Sequence, residues 1–511
     1  MIKRILLCDV EQDKSTPEVT NKQMTNHPIG LLYLASVVNQ KYPDIEFRIF
    51  HTTTFENAER DIQLMIEDFR PELVGLRALS LFQNEYESLA AVIRNKAPDV
   101  YIIGGGPFPS ASFTRILENN SVDMVVLGEG DETFLDLVSR LREHDELPID
   151  VNGTVLMVNG EVKINNRRPL IQNLDALPFP NYDLINLDDY VDIPNHSLKL
   201  TTKCGYICSS RGCPYRCFYC HTGFGKGIRR RSKENVVDEM RNLSETKGIK
   251  EFIFLDDLFN VPRKDGKELL EHIAKSLPDV QLNFPNGLRA DQMDSEFIDL
   301  LEECNTVHMA LAIETATPRL QKICGKRLKI DKAYEIIQEA SKRFIVVSFF
   351  MIGFPTETVE EAMETVRLAS SLEHVTQPVL NVVRVYPETA LFDFLDPTPE
   401  EARLIEQQTA APTVGKLNED PDFYGDFFSR EKVPMQSNDI KKLRWKWISD
   451  VILNENRVKN SYEILRRFLG EEEVLTYFKN FFMKPSFNEK DLCNLMKTRT
   501  LPEVGVSVRN S

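Results

Sequence analysis

The stretch Arg211-Gly212-Cys213-Pro214-Tyr215-Arg216-Cys217-Phe218-Tyr219-Cys220-His221 decides how this chain is read. Its cysteines are spaced C-x3-C-x2-C. They follow directly on a strand-like run, KLTTKCGYICS, at 199–209. The chain has nine cysteines, and five of them fall within residues 204–220. Such crowding in a large chain points to metal ligation rather than disulfides. Three thiolates from one loop can bind three irons of a [4Fe–4S] cube and leave the fourth iron open, and an open coordination site makes a bound cluster a catalyst. Gly212 lets the loop turn tightly, so that backbone amides approach the sulfides and tune their potential. A closed zinc site is the competing reading. Zinc usually wants four ligands in two pairs, and Cys204 or Cys208 could complete the set. Cys208, however, lies on a strand pattern where a small apolar residue packs well.

Downstream of the loop, strand patterns alternate with helical ones up to residue 395: EFIFLDD, LNFPNGLR, VHMALAIE, IVVSFFMIG and VLNVVRVY. With the run at 199–209 these make six β/α units over 199–395, which fits a partial (β/α)6 barrel with its chemistry at the C-terminal strand ends. The basic run Lys226-Gly-Ile-Arg229-Arg230-Arg231-Ser232 reads as a solvated stretch with Ser232 capping the next helix. The alternative is contact with phosphate or carboxylate groups of a ligand.

Upstream, residues 1–145 also alternate. Strand patterns lie at 4–10, 45–50, 72–79, 100–105 and 123–128, with amphipathic stretches between them. This predicts a doubly wound parallel sheet of Rossmann-like type, which takes ligands at its C-terminal strand ends. The loops there are NHPIG, ALSLF, GGGPFPS and GEGDE. Residues 146–198 read as a linker with a β-hairpin turning at Asn159-Gly160. Residues 396–511 are charged and helix-rich. Two aromatic stretches there, at 422–428 and 477–482, read as core packing of a helical C-terminal domain.

Composition sets outer limits. A chain of 511 residues should divide into two or more domains. A net charge of −16 argues against a nucleic-acid surface. No run of about 20 apolar residues predicts a membrane span. The N-terminus reads as a strand rather than a signal peptide, so a cytoplasmic location is expected.

The loop resembles the signature of the radical S-adenosylmethionine (SAM) superfamily, in which an aromatic precedes the last cysteine. The resemblance implies that Cys213, Cys217 and Cys220 hold a [4Fe–4S] cluster whose open iron chelates SAM, and that Tyr219 packs near the adenine. Further segments are similar in the same order: Phe254-Leu-Asp256-Asp257-Leu-Phe259, Asn286-Gly287-Leu-Arg289-Ala-Asp291, Ala312-Ile-Glu314-Thr315, and Phe350-Met-Ile352-Gly353-Phe354-Pro355-Thr-Glu357-Thr358. They imply SAM contacts by Asp256, Asp257, Arg289, Glu314, Ile352 and Gly353. Ala312 departs from the family's glycine.

The preceding domain narrows the resemblance to radical SAM proteins with a cobalamin (B12)-binding domain. The similar elements begin with Pro28-Ile-Gly30-Leu31-Leu-Tyr33-Leu34-Ala35 and Val74-Gly75-Leu76. Gly104-Gly105-Gly106-Pro107-Phe-Pro109-Ser110 and Gly128-Glu129-Gly130-Asp131-Glu132-Thr133-Phe134 follow. Cobalamin contacts are implied for Pro28, Gly30, Leu31, Ser80, Gly104, Gly105, Gly106, Pro107, Gly128 and Glu129. The D-x-H-x-x-G element that puts a histidine on cobalt is absent: His27 is followed by Pro-Ile-Gly30, but Thr25 replaces the aspartate. Arg77 reads as ion-paired, with covering the lower face of cobalamin as the alternative. The expected state is base-off cobalamin without a protein ligand.

The resemblance implies methylation of an unactivated carbon in a small molecule or natural-product precursor. One SAM remethylates cobalamin, and a second yields the 5′-deoxyadenosyl radical. Non-methylating radical chemistry on the same architecture (oxidation, deoxygenation, ring contraction or cyclisation) is the runner-up, and a non-catalytic cobalamin or Fe–S sensor is third. The expected partners are a small-molecule substrate and an external electron donor such as flavodoxin or ferredoxin.

Overall fold

The computed structural model describes residues 2–14, 25–144, 146–191, 193, 203–220, 223–387, 389–410 and 423–481. Strands β1 (Arg4–Val10), β2 (Glu46–His51), β3 (Leu73–Ala78), β4 (Tyr101–Gly105) and β5 (Met124–Val126) form one parallel sheet in the order β2-β1-β3-β4-β5. Alternate residues of β1 feed two separate cores. Leu6, Cys8 and Val10 join Ile62, Leu89 and Phe108 on one face, while Ile5 and Leu7 join Leu31, Phe134 and Leu137 on the other. Helices therefore cover both faces, and for that reason β1 reads as a nearly continuous apolar run. The expected doubly wound sheet is present.

The hairpin at 146–198 is more than a linker. Its strands β6 (Thr154–Val158) and β7 (Glu161–Ile164) turn at Asn159 and Gly160, both with positive φ. β6 pairs antiparallel with β5, so the hairpin extends the first sheet to seven strands. Three short turns follow, each opened by an asparagine side chain: Asn173, Asn181 and Asn186. Buried Tyr182 from these turns bonds both backbone groups of Tyr206 in the next unit, at 3.1 and 2.9 Å.

That unit opens with β8 (Cys204–Ile207) and a two-residue antiparallel ribbon, β9 (Ser210–Arg211) with β10 (Arg229–Arg230). It continues through β11 (Glu251–Phe254), β12 (Gln281–Leu288), β13 (Thr306–Glu314), β14 (Ile345–Ile352) and β15 (Gln377–Val382). The six main strands are parallel and stand in sequence order from β8 to β15, as the partial barrel requires. One face packs on its own helices through Ile207, Phe252, Phe254, Phe284 and Met309. On the other face, Cys204, Tyr206 and Ile253 pack against Ile29 and Tyr33 of the first unit.

The C-terminal helices Ser437–Trp447, Glu455–Phe468 and Glu471–Phe481 are fastened to this unit by Arg457. Its fully buried guanidinium donates to the carbonyls of Leu372, Val375, Ala369 and Val451 at 2.6–2.9 Å. Three of these carbonyls end the helix Val359–Ser371 or follow it, so one side chain satisfies groups that a helix end leaves orphaned. Phe423, Tyr424 and Phe428 are buried beside Phe354, and Phe478 is buried beside Val307 and Ile345, so the aromatic stretches act as packing. Asp422 and Phe482, at their edges, lie outside the described residues. Among the described residues no helix is long and apolar enough to cross a membrane.

Candidate active site

The cysteine loop is shaped by what lies on either side of it. Gly212 has φ +91°, and a Cβ there would lie 2.1 Å from the Gly227 carbonyl oxygen. Only glycine fits such a conformation and approach. The Gly212 amide donates to Asp257 (3.2 Å), and the Phe218 amide donates to the Cys324 carbonyl (2.9 Å). Gly325 lies beneath the loop with φ +75°; a Cβ there would sit 2.4 Å from the Arg216 carbonyl oxygen. Cys213 and Cys217 are half-buried and Cys220 is exposed. Burial, then the neighbouring Cys217 and Cys213, push the Cys220 thiol up to about 11. Bound iron cations would reverse that shift by favouring the thiolate. Cys204 and Cys208 instead pack with Ile29, Tyr33, Tyr206 and Ile253. That apolar setting removes the closed zinc reading, and the loop's donor set fits a three-cysteine cluster.

Of the residues expected near SAM, one group converges on the loop. Tyr219 donates to the Glu314 carboxylate (3.4 Å), and Lys326 donates to the same oxygen (2.9 Å). Glu314 stands at a β-bulge with φ +69°, strain of the kind found at functional sites. The Arg289 guanidinium stacks 3.9 Å from the Tyr215 ring centroid, pairs with Asp291 and donates to the Lys326 carbonyl (2.9 Å). Asp257, exposed just after β11, meets the start of the loop at the Gly212 amide.

Three further residues expected near SAM are buried. Asp256 is buried and accepts from the Ser209 amide and from the Ser209 and Ser210 hydroxyls. It braces the strand before the loop and presents no free oxygen edge. Ile352 is fully buried. Gly353 spends its amide on Glu357 (2.6 Å) and its carbonyl on the Tyr424 hydroxyl (2.7 Å), with Phe423 packed over it. Those two are support for the site rather than its open wall.

At the C-terminal end of the first sheet, an ideal Cβ on Gly30, Gly105 or Gly128 would meet nothing within 4 Å. This open glycine-lined edge fits a large flat ligand that needs close backbone approach. Leu31 is buried in the core below and Gly104 is closed off by the Tyr86 hydroxyl, so neither faces that space. Gly106 packs on the Arg77 stem, Pro28 is buried at the helix start, and Pro107 and Ser80 are half-buried beside the loops. Arg77 pairs with Asp9 at 2.7 Å. His27 is buried among the rings of Tyr182, Tyr190 and Tyr206, with Nδ1 unpartnered, and is no candidate for a cobalt ligand.

Glu129, expected at the cobalamin site, has a carboxylate already engaged within the protein. Its carboxylate is buried and bonds Arg229 (2.8 Å to each oxygen), Arg211 (3.2 Å) and the Ile171 amide (2.9 Å). Asp131 takes Arg211 with both oxygens, at 2.7 and 3.2 Å. The arginine run is therefore neither solvated nor aimed at a ligand. Arg229 pairs with Glu129, Arg231 pairs with buried Glu239 (2.5 Å), and Arg230 donates to the Val261 carbonyl (2.8 Å). Ser232 caps the following helix as expected. Lys326 and Gly325 carry no signal in the sequence, and the pairing of Asp131 and Glu129 with Arg211 and Arg229 is not readable from it. The only available signals were the acidic pair in the GEGD loop and the arginine that heads the cysteine loop.

Comparison with known proteins agrees with this geometry. Residues 207–369 match the model of the Radical SAM superfamily, and residues 19–138 match the B12 binding domain. An uncharacterized methyltransferase of Pyrococcus horikoshii is 31% identical over 380 residues, covering 72% of this chain and 78% of the relative. The cytidylyl-2-hydroxyethylphosphonate methyltransferase of Streptomyces wedmorensis is 28% identical over 396 residues, covering 66% and 71%. Among solved structures, the cobalamin-dependent SAM radical enzyme OxsB, with aqua-cobalamin and SAM bound, superposes with a TM-score of 0.64 at 16% identity. That match covers 95% of this chain and 71% of the other, and it establishes the shared fold. The chain belongs to the radical SAM superfamily, in the branch that carries an N-terminal B12 binding domain.

Proposed function

We propose that this protein is a cobalamin-dependent radical SAM methyltransferase acting on an unactivated carbon of a small molecule or natural-product precursor. One observation carries the reading. The strand entering the cysteine loop is ion-paired to the loop after β5, so the cluster loop and the glycine-lined edge of the first sheet belong to one junction. Relatives named as methyltransferases support the methyl-transfer outcome.

When bound, the cluster with SAM supplies a 5′-deoxyadenosyl radical, and cobalamin supplies the methyl carrier. The chain's residues prepare the setting. Cys213, Cys217 and Cys220 are the iron ligands, and the turn at Cys324-Gly325 holds their loop from below. Tyr219, Glu314 and Lys326 form a hydrogen-bonded wall beside Cys217, while Arg289 clamps Tyr215 within the loop. Together these contacts fix the loop's shape before a ligand arrives, so little reorganisation is left for the reaction itself. Gly30, Gly105 and Gly128 give close backbone approach to cobalamin, with Ser80 available to its tail. Burial of His27 fits a base-off state with no protein ligand on the metal. The electron is proposed to come from a cytoplasmic flavodoxin or ferredoxin.

The test is anaerobic reconstitution with iron, sulfide, cobalamin, SAM and a chemical reductant, followed by product analysis. Formation of both S-adenosylhomocysteine and 5′-deoxyadenosine is the expected result. Formation of 5′-deoxyadenosine alone would move the chain to non-methylating radical chemistry.

A further inference from the structure

Four charged side chains are buried together where the two α/β units meet. Glu129 comes from the loop after β5, Asp131 from the first turn of the helix Gly130–His144 that follows it, and Arg211 and Arg229 from the ribbon β9–β10. The two arginines stand directly opposite each other in that ribbon's register. The Arg211 fork takes both oxygens of Asp131 and touches Glu129, while Arg229 Nη1 reaches both oxygens of Glu129 at 2.8 Å and the Ile171 carbonyl at 2.7 Å. The Arg211 guanidinium is also held between the rings of Tyr33 (5.6 Å) and Phe224 (5.3 Å).

Stability alone does not account for this arrangement. Buried ion pairs lose much of their attraction to desolvation, and well-packed apolar residues often serve as well. What a bidentate guanidinium–carboxylate pair adds is direction, because a planar fork fixes the angle as well as the distance between its partners. The two ends fixed here are informative. Arg211 lies two residues before Cys213, and Glu129 directly follows Gly128 at the open edge of the first sheet.

We infer that Glu129, Asp131, Arg211 and Arg229 are positioning residues: an inter-unit clasp that sets the cluster loop at one fixed separation from the cobalamin edge. The inference rests on the cobalamin reading above. The clasp touches neither reacting atoms nor substrate. It acts through the loops it joins, and misplacing a reacting group by about 1 Å can cost on the order of 10²-fold in rate.

The test uses holoenzyme reconstituted with the reduced cluster and cob(II)alamin, two paramagnets whose dipolar coupling reports their separation. Wild type should give one narrow cluster–cobalt distance. Asp131→Asn and Glu129→Gln keep side-chain shape but remove charge. Each is expected to broaden the distribution about twofold through loss of the directional pair, with both cofactors still bound. Arg211→Lys, which keeps charge but loses the fork, should fall between. If Asp131→Asn lowers cofactor occupancy or melting temperature while the remaining holoenzyme keeps the wild-type distribution, the clasp is only structural and the inference is overturned. A wild type with no cobalt–cluster coupling would overturn the cobalamin reading, and the clasp's alignment role with it.

Discussion

Gly212 shows how much of the site rests on single residues. Its left-handed φ already excludes most side chains, and the 2.1 Å approach to the Gly227 carbonyl leaves no room for a methyl group. Gly212→Ala should therefore lose most of its cluster, with iron and sulfide content falling while the far-UV circular dichroism stays close to wild type. His27 makes a different prediction. Burial, then the nearby His51, lowers its pKa from 6.5 to about 3. The unfolded chain binds the proton that the folded chain refuses, so stability is intact above about pH 6.5 and is lost as pH falls toward 3. The loss at pH 5 is about 2 kcal/mol for this one group. His27→Phe, which keeps a ring among Tyr182, Tyr190 and Tyr206, should unfold in denaturant at midpoints that differ less between pH 7 and pH 5 than those of wild type. Residues whose role follows from local spacing, such as the three cysteines and Tyr219, were legible in sequence. The pairing of Glu129 is not legible, because its partners Arg211 and Arg229 lie 82 and 100 positions away and local pattern carries no information about such a pair. For Asp256 and Gly353 a motif does not show which polar groups the fold satisfies internally.

Secondary-structure elements were more legible than their docking. The strands of both sheets fall within a few residues of their apolar runs, and the Asn159-Gly160 turn formed as its residues require. That the hairpin would pair with β5 was not readable, because the edge of a sheet offers the same hydrogen bonds to any strand that reaches it. The ribbon β9–β10 is two residues per strand, too short to show a period. Arg457 belongs to this scale as well. Nothing in the helix Glu455–Phe468 marks this arginine as buried, yet it closes four carbonyls from two other segments. Arg457→Leu should leave several of them unpaired and cost at least about 3 kcal/mol in a denaturant titration. Arg457→Lys should recover part of that loss, since the charge remains but the fork does not.

At the scale of the whole molecule, the two α/β units meet along a continuous surface. It runs from the packing of Ile29 and Tyr33 on β8 and β11, through the Tyr182 bonds to Tyr206, to the four charges before the cysteine loop. The loop edges that receive ligands in each fold are thereby joined, and this shared junction turns two separate motifs into one expected reaction centre. In this reading one chain holds a SAM-cleaving cluster and a cobalamin, and Cys213, Cys217 and Cys220 serve only the cluster. The direct measurement is cofactor content and 5′-deoxyadenosine formation in anaerobically reconstituted wild type and Cys213→Ala, compared side by side. Wild type should hold one cluster and one cobalamin per chain and cleave SAM. Cys213→Ala should retain cobalamin and lose both the intact cluster and 5′-deoxyadenosine formation. A Cys213→Ala protein that still cleaves SAM at the wild-type level, or a wild type that binds no cobalamin, would contradict this reading.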